Sequence, residues 1–245
     1  MKIGLNIPTT YRIASQDLLD IANLGFEVVR TDVPPDGPLE EFVGDYTSEP
    51  ALTPLFLLHN PARNELLLDV ALDRIGHDGF MLQVYNEPPG MDKVNLSEYI
   101  KGILDVHRDA RARGFEGPIL MGGLANPSVA NRDWLKTALK VMPQDVWVDE
   151  HRYSYKIQDA WNRPWPPFAD RRQEAVSLAQ IAGSRVLSLT ETGWHTAEEM
   201  VGLSIEPDGP DPDPFPDLVL PHTTRLTDVQ CRDNLVKAFS LYQLA

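Results

Sequence analysis

The sequence has a single cysteine, few basic residues and no long apolar run. Cys231 alone can form neither an internal disulfide nor a thiolate metal site. No stretch approaches the ~18 apolar residues that cross a membrane. Pro8 interrupts the first apolar run after Met1, so the pattern of a secretory leader is missing. We therefore expect a globular protein, cytoplasmic if Met1 is the native start and secreted if a leader has been removed.

Acidic residues outnumber basic ones, at 36 Asp and Glu against 22 Lys and Arg, which gives a net charge of −14. Nucleic-acid phosphates require Lys and Arg, so this balance argues against a nucleic-acid partner. No protein partner or membrane contact is implied either. The length of 245 residues suffices for one sizeable core, and no linker or repeat is visible. We expect one domain spanning residues 1–245.

Short runs rich in Val, Ile and Leu alternate with helix-like stretches along the chain. Seven such runs recur at intervals of about 30 residues, the length of one strand–helix unit. They mostly lack polar alternation, as strands buried on both faces do. The pattern predicts an α/β fold, a (β/α)8 TIM-type barrel with seven legible strands and an eighth that is absent or irregular. A doubly wound sheet is the alternative, but no glycine-rich phosphate loop follows the first strand.

Polar residues gather where these runs end, which is the active face of a barrel. Two glutamates stand out, Glu87 after the fourth run and Glu191 after the seventh. A facing carboxylate pair can hydrolyse a glycosidic bond, because one group protonates the leaving oxygen while the other attacks or activates water. A separation of about 5 Å gives retention, and a wider gap gives inversion. The other candidate site residues at strand ends are Arg30, His59, Asn86, His151, Tyr153 and Trp194.

These residues stand in motifs with a recognisable order. Tyr85-Asn86-Glu87-Pro88 contains Asn-Glu-Pro, and Thr190-Glu191-Thr192-Gly193-Trp194 contains Thr-Glu-x-Gly-Trp. His151-Arg152-Tyr153 contains His-x-Tyr, and Arg30 and His59 end the second and third runs. The set resembles glycoside hydrolase clan A, the retaining (β/α)8-barrel glycosidases that include family 5 cellulases and mannanases. Members of that clan commonly have a tryptophan on strand eight, under the sugar at the cleavage point. This sequence departs from the clan there, because no tryptophan follows Trp194.

The resemblance implies a function and a role for each residue. The function is retaining hydrolysis of O-glycosidic bonds in a β-linked oligo- or polysaccharide, by double displacement and without cofactor or metal. Glu87 would be the acid/base and Glu191 the nucleophile, whose negative charge would raise the pKa of the opposing carboxyl group. The supporting roles are Asn86 on the sugar 2-hydroxyl, Tyr153 and Arg30 on Glu191, His151 on Glu87 or a sugar hydroxyl, His59 in the substrate site, and Trp194 as a wall of that site.

Two other interpretations stay open. One is a metal-dependent sugar isomerase or epimerase on a TIM barrel, but this leaves the two glutamate motifs unexplained. The other is a catalytically silent carbohydrate-binding barrel, which the missing strand eight suggests and the presence of both glutamates argues against. The metal ligands of the first interpretation would come from His59, Glu87, Asp149, Glu150, His151 and Glu191.

Overall fold

Strands and helices alternate in the structure, a computed structural model that describes residues 4–7, 13–59, 63–86, 96–122, 129–153 and 177–193. The strands are β1 (Gly4–Ile7), β2 (Val28–Asp32), β3 (Thr53–Leu58), β4 (Met81–Val84), β5 (Ile119–Met121), β6 (Val146–Tyr153) and β7 (Leu187–Gly193). The helices are α1 (Ser15–Asn23), α2 (Leu39–Tyr46), α3 (Asn64–Ile75), α4 (Leu96–Ala112) and α5 (Val129–Leu139), and residues 177–182 are also helical.

Helix α1 begins one residue earlier than its sequence suggests. The serine at its start is a candidate N-cap by type, but the cap is Ala14, whose backbone is extended. The Ala14 N–H donates to the Asp17 carboxylate over 2.8 Å. Asp17 thus supplies the returning half of a capping box, so no capping side chain is needed at the cap itself. Gly25 follows the helix with a left-handed φ of 88°, a conformation that glycine adopts readily and that commonly ends helices.

The local sequence of helix α2 does not clearly predict a helix. It has only 8 residues, and Pro38 stands at its N-cap. Prolines before a helix look like a loop signal, although Pro is tolerated at a helix start. Leu39, Val43 and Tyr46 are buried at the spacing of one helix face. Tertiary packing of that face, more than local propensity, accounts for a helix this short.

The strands form one sheet in the order β1-β2-β3-β4-β5-β6-β7, and β1 to β6 pair in parallel. Strand β7 adds through Val148 N–H, which donates to the Val186 carbonyl over 2.9 Å. A doubly wound sheet reverses its winding after the first strands. The sequential order excludes that alternative for the described strands and confirms the winding of a barrel. Strand eight lies outside the described residues and stays a prediction.

One face of the sheet packs against the helices through a ladder of aromatic rings. Phe56 on β3 lies 5.9 Å from Phe80 by ring centroids, and Phe80 stacks on Phe115 at 4.4 Å. All three side chains are fully buried. Successive helices also contact one another from α1 to α5. This outer core fixes the strands in register and leaves their other face for the interior.

The interior face begins with an apolar layer near the strand starts. Val28, Leu55, Met81 and Leu120 form one buried cluster, and Trp147 packs against it. The pairing register places Leu55 beside Met81 and Leu120 beside Trp147. Because side chains alternate between faces with a period of two, the next interior layer consists of residues two positions further along each strand.

By its contacts the chain divides into two compact units, residues 1–151 with 181–190, and residues 152–180 with 191–245. The first unit contains all the layers above. The described part of the second comprises the ends of β6 and β7 and residues 177–180, which are helical. The expectation of a single domain stays a prediction. Within the described ranges, no helix is long and apolar enough to cross a membrane.

Two leucines on α3 provide a test of this packing. Leu68 is fully buried, whereas Leu66 on the same helix is 59% exposed. Leu68→Ala should lower the free energy of unfolding by about 2–5 kcal/mol, because it removes buried methyl groups and leaves a cavity. Leu66→Ala should change it by less than about 0.5 kcal/mol. Urea unfolding of the two variants measures the difference, and equal losses would contradict the described burial.

Candidate functional site

The second interior layer contains polar residues on β2, β4 and β6, whereas the first is apolar. Arg30, Gln83 and Asp149 follow Val28, Met81 and Trp147 by two positions on β2, β4 and β6, so they lie on the C-terminal side of the apolar layer. All three are at most 4% exposed. Buried polar groups are costly unless hydrogen-bonded, so their partners decide the arrangement of this layer.

Arg30 joins β2 to β4 by two hydrogen bonds. Its Nε donates to Gln83 Oε1 over 2.7 Å, and its Nη2 donates to Asn86 Oδ1 over 2.8 Å. Both are charge-assisted, which makes them stronger than bonds between neutral groups. Arg30 therefore orients the asparagine of the Asn-Glu-Pro motif, and its role in the site stays a prediction.

Asp149 joins β6 to β4 and β7. Gln83 Nε2 donates to its Oδ2 over 3.1 Å. Thr190 donates twice, from its backbone N to Oδ1 at 3.0 Å and from Oγ1 to Oδ2 at 2.6 Å. A carboxylate only accepts hydrogen bonds, and Asp149 accepts one from each of these three donor groups. Asp149, which the metal-site interpretation treats as a ligand, is engaged by these protein groups.

His151 extends the same arrangement from β6. Its Nε2 lies 3.1 Å from Thr190 Oγ1 and 3.6 Å from Asp149 Oδ2. The Thr190 hydroxyl already donates its hydrogen to Asp149, so it accepts from His151, and Nε2 carries the hydrogen. His151 is 0% exposed. His151 thus contacts Thr190, the residue that precedes Glu191, and its predicted role on Glu87 or a sugar hydroxyl stays a prediction.

These bonds form one continuous series, which we call the interior polar chain. Every member belongs to the first compact unit. Its ends are Asn86, which precedes Glu87, and Thr190, which precedes Glu191, and His151 joins it at Thr190. The members are Asn86, Arg30, Gln83, Asp149, Thr190 and His151.

A strained residue turns Asn86 toward this chain. Tyr85 has φ 69°, the only left-handed φ of a non-glycine residue in the described part of the chain. Such a conformation costs on the order of 1–2 kcal/mol. The Tyr85 ring stacks on Tyr99 of α4 at 5.3 Å, outside the sheet. The strand alternation breaks at this residue, and the next side chain, Asn86, reaches Arg30.

Tyr99 anchors the outer side of this turn. It is 3% exposed, and its hydroxyl donates to the Gly122 carbonyl at the end of β5 over 3.0 Å. Burial raises the pKa of Tyr99 well above its usual range, and the negative charge of Asp149 adds to the effect. Tyr99 therefore stays protonated and remains a donor. Gly122 is required because a Cβ there would lie 2.5 Å from the Tyr85 carbonyl oxygen.

His59 follows β3 near the same end of the sheet. Its Nε2 donates to Asp32 Oδ1 over 3.0 Å, and its side chain is 53% exposed. Asp32 follows Arg30 by two positions, so it lies on the interior face above the guanidinium. The histidine is therefore oriented by a carboxylate and accessible to a ligand. Its role in substrate binding stays a prediction.

The remaining candidate residues are described in part or not at all. Tyr153 ends β6 and Glu191 lies in β7, but only their backbone is described. Glu87 and Trp194 lie outside the described residues. The separation of the two glutamate carboxyl groups, and the contacts of Tyr153 and Arg30 with Glu191, therefore stay predictions.

Sequence reasoning missed Gln83 and Thr190 as site residues, and it considered Asp149 only as a metal ligand. The available signal was the strand period, because Gln83 and Asp149 interrupt otherwise apolar interior positions. Within the described ranges, no group of three His, Cys, Asp or Glu residues is arranged to hold a metal ion.

Comparison with solved structures gives neighbours of one fold. A broad-specificity GH5-4 endoglucanase from Clostridium acetobutylicum matches with a TM-score of 0.61 at 15% identity, covering 82% of this chain and 80% of that one. Thermotoga maritima Cel5A in complex with mannotriose matches at 0.55 and 15% identity, covering 78% and 79%. A further endoglucanase matches at 0.54 and 17% identity, covering 78% of each chain.

No protein-family model matches the sequence, and no curated protein is detectably similar to it. At these identities the structural likeness shows the fold. The predicted TIM-type (β/α) barrel is therefore confirmed, and its structural neighbours include glycoside hydrolases of family 5, the class that the motifs resemble.

The strained turn predicts a coupling between Tyr85 and Gly102 of α4. An alanine Cβ at position 102 would lie 2.1 Å from Tyr85 Oη. Gly102→Ala should therefore cost about 1–3 kcal/mol of unfolding free energy through overpacking. In a Tyr85→Ala background the same change should be neutral or stabilise by up to about 1 kcal/mol, because alanine favours helix. Urea unfolding of the four proteins measures the coupling.

A second helical glycine supplies the control. A Cβ at Gly44 of α2 would meet only the flexible end of Arg74, at 3.2 Å. Gly44→Ala should change the free energy of unfolding by the same small amount in the wild-type and Tyr85→Ala backgrounds. An equal cost for Gly102→Ala in both backgrounds would contradict the described position of the Tyr85 ring.

Proposed function

We propose that this protein is a retaining glycoside hydrolase acting on β-linked oligo- or polysaccharides. The observation that carries the proposal is the contact of Arg30 with Asn86 at the C-terminal end of β4, which orients the asparagine directly before Glu87. The family 5 endoglucanase neighbours support the same class of reaction. Glu191, in the strand-seven motif, provides the second carboxylate.

The reaction proceeds in two displacements. Glu191 attacks the anomeric carbon, the glycosidic C–O bond breaks, and the Glu87 carboxyl group gives its proton to the leaving oxygen. Glu87, now a carboxylate, takes a proton from water, and the resulting hydroxide attacks the anomeric carbon and releases Glu191. The negative charge of Glu191 keeps the pKa of Glu87 raised in the first step, and its loss in the covalent intermediate lowers that pKa for the second.

Asn86 and His59 are the described groups that would meet the sugar. Asn86 Oδ1 accepts from Arg30, so the Nδ2 group is the part directed to a ligand. An amide donor suits the sugar 2-hydroxyl, a contact that strengthens in the transition state. His59 is exposed and oriented by Asp32. Because one neighbour is described with mannotriose and another as a broad-specificity endoglucanase, β-linked glucans and mannans are the first substrates to test.

The nucleophile is tested by Glu191→Ala. Turnover of β-linked glucans, mannans and aryl β-glycosides should fall by at least about 10⁴-fold, because no group remains to form the covalent intermediate. Glu116→Ala is the matched control, since Glu116 is exposed and precedes β5, at the opposite ends of the strands. Reducing-sugar release and aryl-alcohol absorbance measure the rates, and full activity of Glu191→Ala would refute the assignment.

The acid/base is tested by Glu87→Ala with azide. Aryl glycosides with good leaving groups should still glycosylate the variant, because their leaving oxygen needs little protonation. Azide should then restore turnover by attacking the glycosyl-enzyme, with a β-glycosyl azide as product. Nuclear magnetic resonance of the wild-type product distinguishes retention from inversion.

The same experiments separate the competing functions. An inverted anomeric product would reject the retaining mechanism. Activity on free sugars that is lost on chelation and restored by a divalent metal would indicate an isomerase or epimerase. Saturable binding of the polysaccharide without turnover would indicate a silent carbohydrate-binding barrel.

A further inference from the structure

The interior polar chain connects the end of β4, which precedes Glu87 in sequence, to β7, which contains Glu191. Arg30 holds Asn86, the residue before Glu87, and Asp149 holds Thr190, the residue before Glu191. Gln83 connects Arg30 to Asp149. Each bonded pair is separated by at least 41 positions of sequence, so the connection exists only in the folded barrel.

Gln83 has a neutral side chain that can accept a hydrogen bond from one partner and donate one to the other. The Arg30 guanidinium only donates hydrogen bonds, and the Asp149 carboxylate only accepts them. The Gln83 amide offers an oxygen to the first at 2.7 Å and an NH₂ group to the second at 3.1 Å. The two partners also determine which way the amide faces. Gln83 is 0% exposed, so bulk solvent does not compete for either bond.

Asp149 fixes Thr190 more firmly than a single contact would. It accepts from both the backbone N and the hydroxyl of Thr190, so it constrains the main chain of β7 as well as the side chain. The main chain at Thr190 leads directly into Glu191. At the other end, Asn86 is held by a charge-assisted bond, and its main chain leads directly into Glu87.

We propose that Gln83 and Asp149 are positioning residues that set the distance between the two catalytic glutamates through Asn86 and Thr190. This inference rests on the proposed function. The retaining mechanism requires a carboxyl separation of about 5 Å, and a displacement near 1 Å can lower the rate about 100-fold. A hydrogen-bonded linkage between strands β4 and β7, buried at Gln83, meets that requirement, because neither end can shift without lengthening one of its bonds.

The test uses Gln83→Met, which keeps the side-chain length and removes both hydrogen bonds. The expected result is a kcat for aryl β-glycosides lower by about 10- to 100-fold, with KM within about threefold of wild type. The high-pH limb of the plot of kcat/KM against pH, which we call the basic limb, should move to lower pH. A wider separation of the two carboxyl groups weakens the effect by which the charge of Glu191 raises the pKa of Glu87. Loss of folded protein alone would change neither KM nor this limb.

Tyr46→Phe is the matched control. Tyr46 donates to Thr31 Oγ1 over 2.9 Å, a buried bond outside the interior polar chain. Its removal should change thermal stability but leave kcat and the pH profile at wild-type values. Asp149→Asn is the second variant should Gln83→Met fail to fold, because it keeps the size and one acceptor oxygen. It should lower kcat and shift the basic limb in the same direction.

The outcomes are distinct from those of the proposed function. An inactive wild type on every β-glycoside overturns the proposed function and this inference together. The positioning role alone is overturned if the wild type is active and the kcat and basic limb of Gln83→Met or Asp149→Asn equal those of the wild type. A fall in kcat accompanied by the shifted limb, and absent from Tyr46→Phe, supports it.

Discussion

The buried guanidinium of Arg30 is the charge around which the interior of the sheet is arranged. An unpaired charge at this depth would cost several kcal/mol, on the order of the whole stability of a domain. Arg30 therefore needs acceptors, and Gln83 and Asn86 supply them from β4. Gln83 in turn needs an acceptor for its NH₂ group, which Asp149 provides from β6. Each buried polar group therefore obtains its hydrogen-bond partner from the next strand that contributes to the series.

Separation of the interior into layers lets one face of the sheet perform two tasks. The apolar layer near the strand starts, which includes Leu55 and Leu120, contributes burial and close packing. The polar layer above it contributes orientation at the strand ends, where loops can carry reactive groups. Because the layers alternate by two residues on each strand, a single register determines both. A slip of one residue would turn the polar layer outward against the helices.

The turn at Tyr85 breaks this alternation after β4, and the surrounding residues explain why the turn persists. The left-handed backbone of Tyr85 is unfavourable for an L-residue, but the ring stacks on Tyr99 and lies where a side chain at Gly102 would otherwise stand. The Tyr85 N–H still donates to the Leu58 carbonyl over 2.9 Å, so β4 remains paired with β3. The left-handed turn allows the side chain of Asn86, the residue before Glu87, to reach Arg30.

The sequence by itself determined the alternation of strands and helices, the parallel winding, the end of α1 at Gly25 and the site candidates Arg30, Asn86 and His151. Each depends on local composition or on position at a strand end. Tertiary structure decided the rest: α2 forms through packing against the sheet, and Gln83 and Asp149 meet across 66 positions of sequence. Those contacts depend on strand register, which is a property of the whole sheet, so no local pattern in the chain could reveal them.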